Sequence, residues 1–174
     1  EAYNIFASNG ILFNHESPRR GETFVTKKIV SAMCKIKYGK QKKLFLGNLH
    51  AKRDWGHAED YCYAMWLILQ HKKPDDFIIA TGKQYSIKEF INLVAKQLKI
   101  KVTWRGKGIK EKGYNEKNIP IIECDKNYLR PLDVNTLLGN SSKAKKVLKW
   151  RPKRNIDFLI RDMIDNELEN LSKQ

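Results

Sequence analysis

The chain is short of acid, of cysteine and of long apolar runs. Its 174 residues hold 19 Asp and Glu against 34 Lys and Arg, a formal charge of +15. That excess favours anionic partners such as nucleic acid, a membrane surface or phosphorylated small molecules. The three cysteines, Cys34, Cys62 and Cys124, are far apart, with no C-x-x-C pair, and cannot all pair with one another. Each has apolar neighbours, so buried thiols in a reducing compartment are expected. No run approaches the apolar length needed to cross a bilayer as a helix, and nothing at the start reads as a signal peptide. A cytoplasmic setting without a membrane partner is therefore the expectation, in which the two glycosylation-like triplets, Asn140-Ser141-Ser142 and Asn170-Leu171-Ser172, carry no meaning.

Hydrophobic residues make 41% and charged residues 30%, which is ordinary for a globular protein, and the length allows one good core or two small lobes. Basic residues are densest at 40–43 and 143–154. Neither patch is interleaved with aromatics as a base-stacking platform would be. A solvated basic surface with no nucleic-acid partner is the reading; a basic nucleic-acid-binding module is kept as the rival from another class, marked by affinity that falls steeply with salt.

Strands and helices alternate along the chain, which indicates α/β. Residues 1–4 read as the last turn of a helix. Residues 5–13 form a continuous apolar run, as a buried parallel strand does, and such a strand needs neighbours on both sides. The expectation is the C-terminal half of a larger protein. Thr23 is placed to cap a helix over 24–36, with Phe24, Ile29, Ala32, Met33 and Ile36 inward and Gly39 beyond its end. A short strand at 43–47, a loop at 48–56 and a helix at 57–70 follow, the helix burying Ala58, Tyr61, Cys62, Met65, Ile68 and Leu69. Residues 77–82 read as another buried strand. Ser86 and Glu89 have capping-box spacing ahead of a helix whose stripe runs Ile87, Phe90, Ile91, Val94, Ala95, Leu98. Then come a strand at 101–104, a Gly/Lys-rich loop at 106–118, a strand at 121–124, a helix from Ser141 or Ser142 to Leu148, and a last helix over 157–171.

The chemistry gathers in Phe13-Asn14-His15-Glu16-Ser17-Pro18-Arg19-Arg20-Gly21-Glu22, between a strand and a helix. In open α/β sheets, ligands bind at loops leaving the carboxyl ends of strands. Guanidinium forks suit phosphate oxygens, so a nucleotide or sugar phosphate fits this loop. The alternative is a solvated loop whose arginines pair with Glu16 and Glu22.

Residues 10–26, GILFNHESPRRGETFVT, resemble the GDP-mannose 4,6-dehydratase family, a branch of the extended short-chain dehydrogenases. A second match is Ala51-Lys52-Arg53-Asp54-Trp55-Gly56-His57-Ala58. A third, weaker one is Tyr128-Leu129-Arg130-Pro131 with Ser142-Lys143-Ala144-Lys145. The three occur in family order. The resemblance implies a partial Rossmann-like α/β fold with a smaller α/β substrate-binding lobe. Segments 5–14 and 57–100 would lie toward the nucleotide-binding lobe, and 15–56 and 101–174 mostly in the substrate lobe.

It also implies site roles. His15 and Arg20 would touch NADP, and Asn14 would sit beside the nucleotide sugar. Val25, Thr26 and Lys28 open a helix whose N-terminus would face the GDP group, as free N–H groups and the helix dipole allow. Leu46, Asn48 and Arg53 would surround the guanosine and diphosphate, with Asp54 orienting Arg53 and Trp55 packing. Arg130 would clasp the diphosphate or ribose. Asp133 stands where the family has glutamate, one methylene longer, and Leu129 replaces an aromatic. Lys149 stands where the family usually has glycine and reads as a surface change.

Two look-alikes carry nothing. Tyr38 and Lys42 match Tyr-x-x-x-Lys, but Gly39 makes that stretch a helix end. Gly106-Lys107-Gly108 lacks a leading strand and the third glycine of a dinucleotide fingerprint. His57 with Asp60 lacks metal-ligand spacing. The family's own fingerprint and catalytic residues would lie upstream of Glu1. The whole enzyme would oxidise C4 of GDP-mannose with NADP, eliminate water across C5 and C6 and return the hydride at C6, assembling as a dimer or tetramer. The 174 residues alone are expected to grip substrate without turnover. A reductase or epimerase on the same scaffold, and a ligand-free interaction fragment, are the other readings.

Overall fold

The computed structural model describes residues 3, 5–129, 132 and 134–173. In chain order the elements are β1 (Gly10–Leu12), β2 (Asn14–Glu16), α1 (Val25–Lys37), β3 (Leu44–Leu46), β4 (Lys52–Arg53), β5 (Trp55–His57), α2 (Ala58–Leu69), β6 (Phe77–Ile79), β7 (Tyr85–Ser86), α3 (Ile87–Gln97), β8 (Thr103–Arg105), β9 (Lys112–Tyr114), β10 (Pro120–Cys124), α4 (Ser142–Val147) and α5 (Ile156–Ser172). This is the α/β class that the alternation implies. The expected turn of helix over residues 1–4 falls largely outside the described residues.

The helices follow from local chemistry. Ser86 and Glu89 form the full capping box: Glu89 N donates to Ser86 Oγ at 3.1 Å and Ser86 N to Glu89 Oε2 at 2.6 Å. Asn155 Oδ1 accepts from Phe158 N at the start of α5. At α1 the expected cap fails. Phe24, not Thr23, is the N-cap, and no side chain bonds the first turn. Phe24 is itself half exposed rather than inward. Ser141 stands at the N-cap of α4, but its hydroxyl donates to Ala80 O and leaves the helix uncapped.

The sheets are small. β3, β10, β9 and β8 form a four-stranded sheet, in which β10 runs parallel to β3 and antiparallel to β9. β1 pairs with β6 and β2 with β5, both parallel; β4 pairs antiparallel with β7. The first strand is much shorter than the apolar run 5–13: Gly10, Ile11 and Leu12 pair with β6, whereas Ile5 is 68% exposed. Loops 48–56 and 106–118 contain strands β4, β5 and β9, too short and polar to show a period.

Two cores result. α1, α3 and α5 close the larger one against β3 and β10 through Ile29, Met33, Phe90, Val94, Ile160 and Ile122. α3, from segment 57–100, belongs to this core. The smaller core joins Tyr61, Ala64 and Ile68 of α2 to Phe77 and Ile79 of β6 and to Ala144, Leu148 and Trp150; α4, from segment 101–174, belongs to it. Apolar residues surround α2 on all sides, so periodicity misplaces its inner face: Cys62, Met65 and Leu69 are exposed and Ala64 is buried. Cys34 is buried as expected, and burial pushes its thiol up to about 12; Cys124 is half-buried and also raised. Tyr38 is an exposed helix end, and Gly106 and Gly108 sit at positive φ around a 3-10 turn, so neither look-alike has the geometry of its motif.

Candidate functional site

Two clusters of functional side chains meet at the N-terminus of α1. The first rests on the β2–β5 pair, which sets Asn14, His15 and Glu16 opposite Trp55, Gly56 and His57. His15 Nδ1 lies 2.9 Å from Phe13 O. A carbonyl only accepts, so Nδ1 carries the proton and a neutral ring presents Nε2 as an acceptor. Tyr61 stacks on the same ring at 5.1 Å and 26°. A Cβ on Gly56 would fall 2.4 Å from the Tyr61 ring, so only glycine lets the tyrosine pass there. The Tyr61 hydroxyl is buried without a hydrogen-bond partner among the described residues, and burial pushes its phenol up.

Glu16 ties this cluster to the helix. It is buried, accepts from Thr26 Oγ1 at 2.6 Å and lies 3.1 Å from Arg20 Nε. Burial raises its carboxyl, against the pull of Thr26 and Arg20. The Arg20 guanidinium carbon lies over the Phe24 ring, 3.5 Å from its centroid. The pairing of Arg20 with Glu16 is the contact that the solvated-loop reading names. Thr26 has its hydroxyl committed to Glu16, so its offer to a ligand is its backbone N–H. The first intrahelical bond of α1 is Lys28 N to Phe24 O, and no side chain caps the turn, so the N–H groups of Val25 and Thr26 have the orientation that binds anions.

The second cluster gathers around residues 125–135. Lys28 Nζ sits 3.4 Å above the Tyr128 ring. Both residues line a cavity of about 260 Å³, with Glu22, Phe45 and Lys43. Asp125 N donates to Leu46 O. A Cβ on Gly47 would stand 2.2 Å from Tyr128 O, so glycine is required where β3 ends. Leu46 is buried and can meet a ligand only through its backbone. Asn48 Oδ1 accepts from His50 N and shapes the following turn. Lys52 bonds Asn135 and Leu137 through its backbone, and Arg53 Nη1 donates to Val134 O at 2.6 Å and Lys52 O at 2.8 Å. Arg130 and Asp133 lie outside the described residues; of their neighbours in sequence, Tyr128 meets Lys28 and Val134 meets Arg53.

Asp54 does a different job from the one its sequence neighbour suggests. It is fully buried, and accepts from Thr81 N, Thr81 Oγ1, Gly82 N and Gly139 N. Adjacent residues of an extended segment point to opposite sides, so Asp54 faces inward and Arg53 outward. Trp55 packs in the core against Phe90, as expected. His57 bonds Asp162, and no group of three or more metal-ligating side chains exists among the described residues.

Sequence reasoning missed Tyr128, Tyr61 and Glu111. Glu111 is buried and accepts from Lys88 Nζ at 2.5 Å and His50 Nε2 at 2.9 Å, anchoring the 48–53 loop to α3. Nothing in its Gly/Lys-rich surroundings signals this. Tyr128 lies inside the third family match, Tyr128-Leu129-Arg130-Pro131, where the resemblance singles out Arg130 instead.

The family model described as GDP-mannose 4,6 dehydratase matches residues 1–163. The chain belongs to that family. It is 51% identical over 170 residues to a GDP-mannose 4,6 dehydratase of Dictyostelium discoideum, covering 97% of this chain and 48% of the relative. It is 48% identical over 180 residues to one of Vibrio cholerae serotype O1, covering 97% and 48%. The chain thus spans about half the length of the curated relatives it matches. Among solved structures it resembles RMD from Pseudomonas aeruginosa complexed with NADPH, with a TM-score of 0.78 at 18% identity over 97% of this chain and 50% of that one. It also resembles the dTDP-glucose 4,6-dehydratase of Bacillus anthracis in complex with NAD, with a TM-score of 0.71 at 19% identity over 94% and 45%. These likenesses place the family member in the Rossmann-like dehydrogenase fold.

Proposed function

We propose that these residues are the nucleotide-sugar grip of a GDP-mannose 4,6-dehydratase. The whole enzyme converts GDP-mannose to GDP-4-dehydro-6-deoxy-mannose with NADP. The observation that carries this reading is the convergence on one stretch: Lys28 meets Tyr128 at one end, and Arg53 meets Val134 at the other. In this reading Lys28, Arg53 and the open first turn of α1 supply positive charge to a diphosphate, and Tyr128 offers a flat ring beside Lys28. In the same reading Asn48, the backbone of Leu46, Arg130 and Asp133 complete the grip.

Asn14, His15 and Arg20 form the wall shared with the cofactor. The acceptor Nε2 of His15 suits a ribose hydroxyl or a carboxamide N–H, and Arg20, seated over Phe24, suits a phosphate. Bound there, NADP supplies the reversible uptake of a hydride. The work of this chain is orientation: it holds the diphosphate at one end so that the hexose is presented to the other. β1, β6 and α2 sit toward the nucleotide-binding lobe, and the four-stranded sheet with α1 and α5 makes the substrate lobe. The active form is a cytoplasmic homo-oligomer, a dimer or tetramer.

Calorimetric titration with GDP and then UDP tests the grip. Selective GDP binding, weakened about tenfold or more in Arg53→Ala by loss of a charge-assisted contact, is the expected result. Equal weak binding of GDP and UDP that vanishes with salt would refute it. Incubation of the 174 residues with GDP-mannose and NADP is expected to give no product, and product analysis of a full-length version separates a dehydratase from a reductase or epimerase.

A further inference from the structure

The outer side of α2 carries a pair of stacked rings. Tyr63 and Trp66 lie three residues apart on the helix, 5.7 Å between centroids and 16° from parallel. They are 43% and 54% exposed. Folding sets them beside the basic C-terminal run: Lys153 Nζ lies 5.1 Å above the Tyr63 ring. That neighbourhood is rigidly made. Asp60 of α2 accepts from the backbone N–H groups of Lys153 and Arg154 and from Arg154 Nη1, while Trp150 Nε1 donates to Asp60 O. Glu59 is taken up by the other end of the Arg154 guanidinium.

The same pinned segment leads into a cavity of about 410 Å³, lined by Ser142, Lys145, Lys146, Lys149 and Arg151. Four cations and a hydroxyl face it, and no carboxylate. Lys149 holds a left-handed backbone at φ 55°, a conformation that suits glycine. The place where glycine is expected is therefore a backbone constraint and not a mere surface change, and a cation occupies it despite the strain.

We infer that the rings with Lys153, and the basic cavity reached along the same segment, bind single-stranded nucleic acid. The cavity's charge favours a polyanion, and exposed stacked rings select one with open planar faces. A duplex hides its base faces, and a phospholipid has none. The basic run holds a single aromatic, Trp150, which is buried, so the run by itself offers no stacking face; the exposed rings come from α2, far upstream.

The test is fluorescence anisotropy of a labelled oligo-dT of about twelve nucleotides, long enough for one such groove, titrated with the 174-residue chain at several salt concentrations. Binding should weaken with salt with a log–log slope of about −2 to −3, as three to four released counterions require. Trp66→Ala should weaken it about tenfold and Trp66→Phe much less. Lys149→Gly should move two readouts in opposite directions: a melting temperature higher by about 2 to 4 °C from relieved strain, and a salt slope shallower by about 0.7. Trp66 is half exposed, and a thermal melt checks that its replacement leaves the fold intact. The inference falls if Trp66→Ala or Lys149→Gly binds like the parent, if a duplex of equal length binds as tightly, or if anionic phosphatidylserine vesicles compete the oligonucleotide away.

Discussion

Asp54→Ala should destabilise the protein by about 4 kcal/mol, lowering its melting temperature by about 10 °C, measured by urea and thermal unfolding. The carboxylate is fully buried and joins three places in the chain. Oδ1 accepts from Thr81 N at 3.0 Å and Thr81 Oγ1 at 2.6 Å; Oδ2 accepts from Gly82 N at 2.9 Å and Gly139 N at 3.3 Å. Alanine would strand all four donors in a joint with no slack, since even a Cβ on Gly139 would fall 2.1 Å from that of Ala80. Each orphaned donor costs about 1–3 kcal/mol, partly offset because a buried charge is also removed. Asp54→Asn keeps one acceptor and turns an N–H₂ toward donors, so it should lose about half as much. Parent-like stability in Asp54→Ala would mean that the joint is dispensable.

Glu167→Ala should cost about 3–5 kcal/mol, the usual result of stranding a buried charge. Lys27 Nζ lies 3.1 Å from Glu167 Oε2, and Ser31 Oγ donates to Oε1 at 2.7 Å, with the Lys27 and Glu167 side chains both nearly buried between α1 and α5. The double variant Lys27→Met with Glu167→Leu should recover most of the loss, because an apolar pair of similar volume replaces both charges. The pair also has a pH signature. Burial pushes the Glu167 carboxyl up, but the bonds from Ser31 and Lys27 outweigh it and hold it below its ordinary value. A lowered pKa in the folded state makes the contribution complete above the unfolded value, about 4.5, and lost as pH falls through the folded one. Chemical denaturation between about pH 6 and 3 should therefore show a stability loss in the parent that is smaller in Glu167→Gln. An unchanged profile would remove Glu167 from the acid sensitivity of the fold.

What the sequence made legible was whatever has a local cause. The capping box at Ser86 and Glu89, the apolar stripe of α3 and most of that of α1, and the strands β3 and β10 are signalled within a few residues of themselves. The family motifs also led to His15, Lys28 and Arg53, which the structure brings to the two clusters around α1. What stayed hidden depends on partners remote in sequence. β2 and β5 are three-residue strands that pair with each other, and no periodicity survives at that length. Asp54 was attached to its neighbour Arg53 because charge adjacency is visible in a sequence, whereas Gly139 approaching it is not. The face of α2 was unreadable for the opposite reason: too many of its residues are apolar for one side to stand out.

The packing of α5 against α1 governs how the protein can be made. Residues 156–172 form one wall of the larger core, and α1, near the other end, forms another. β10 must likewise return to lie parallel to β3. On a ribosome, which extends the chain at about 5–20 residues per second, α1, β3 and α3 emerge with their apolar faces uncovered. They stay so until α5 has left the exit tunnel. The closing contacts span most of the chain, which makes folding slow for the size of the protein. A stop codon that removes α5 would not trim a flexible tail; it would leave the larger core unfinished and hand the product to chaperones and proteases.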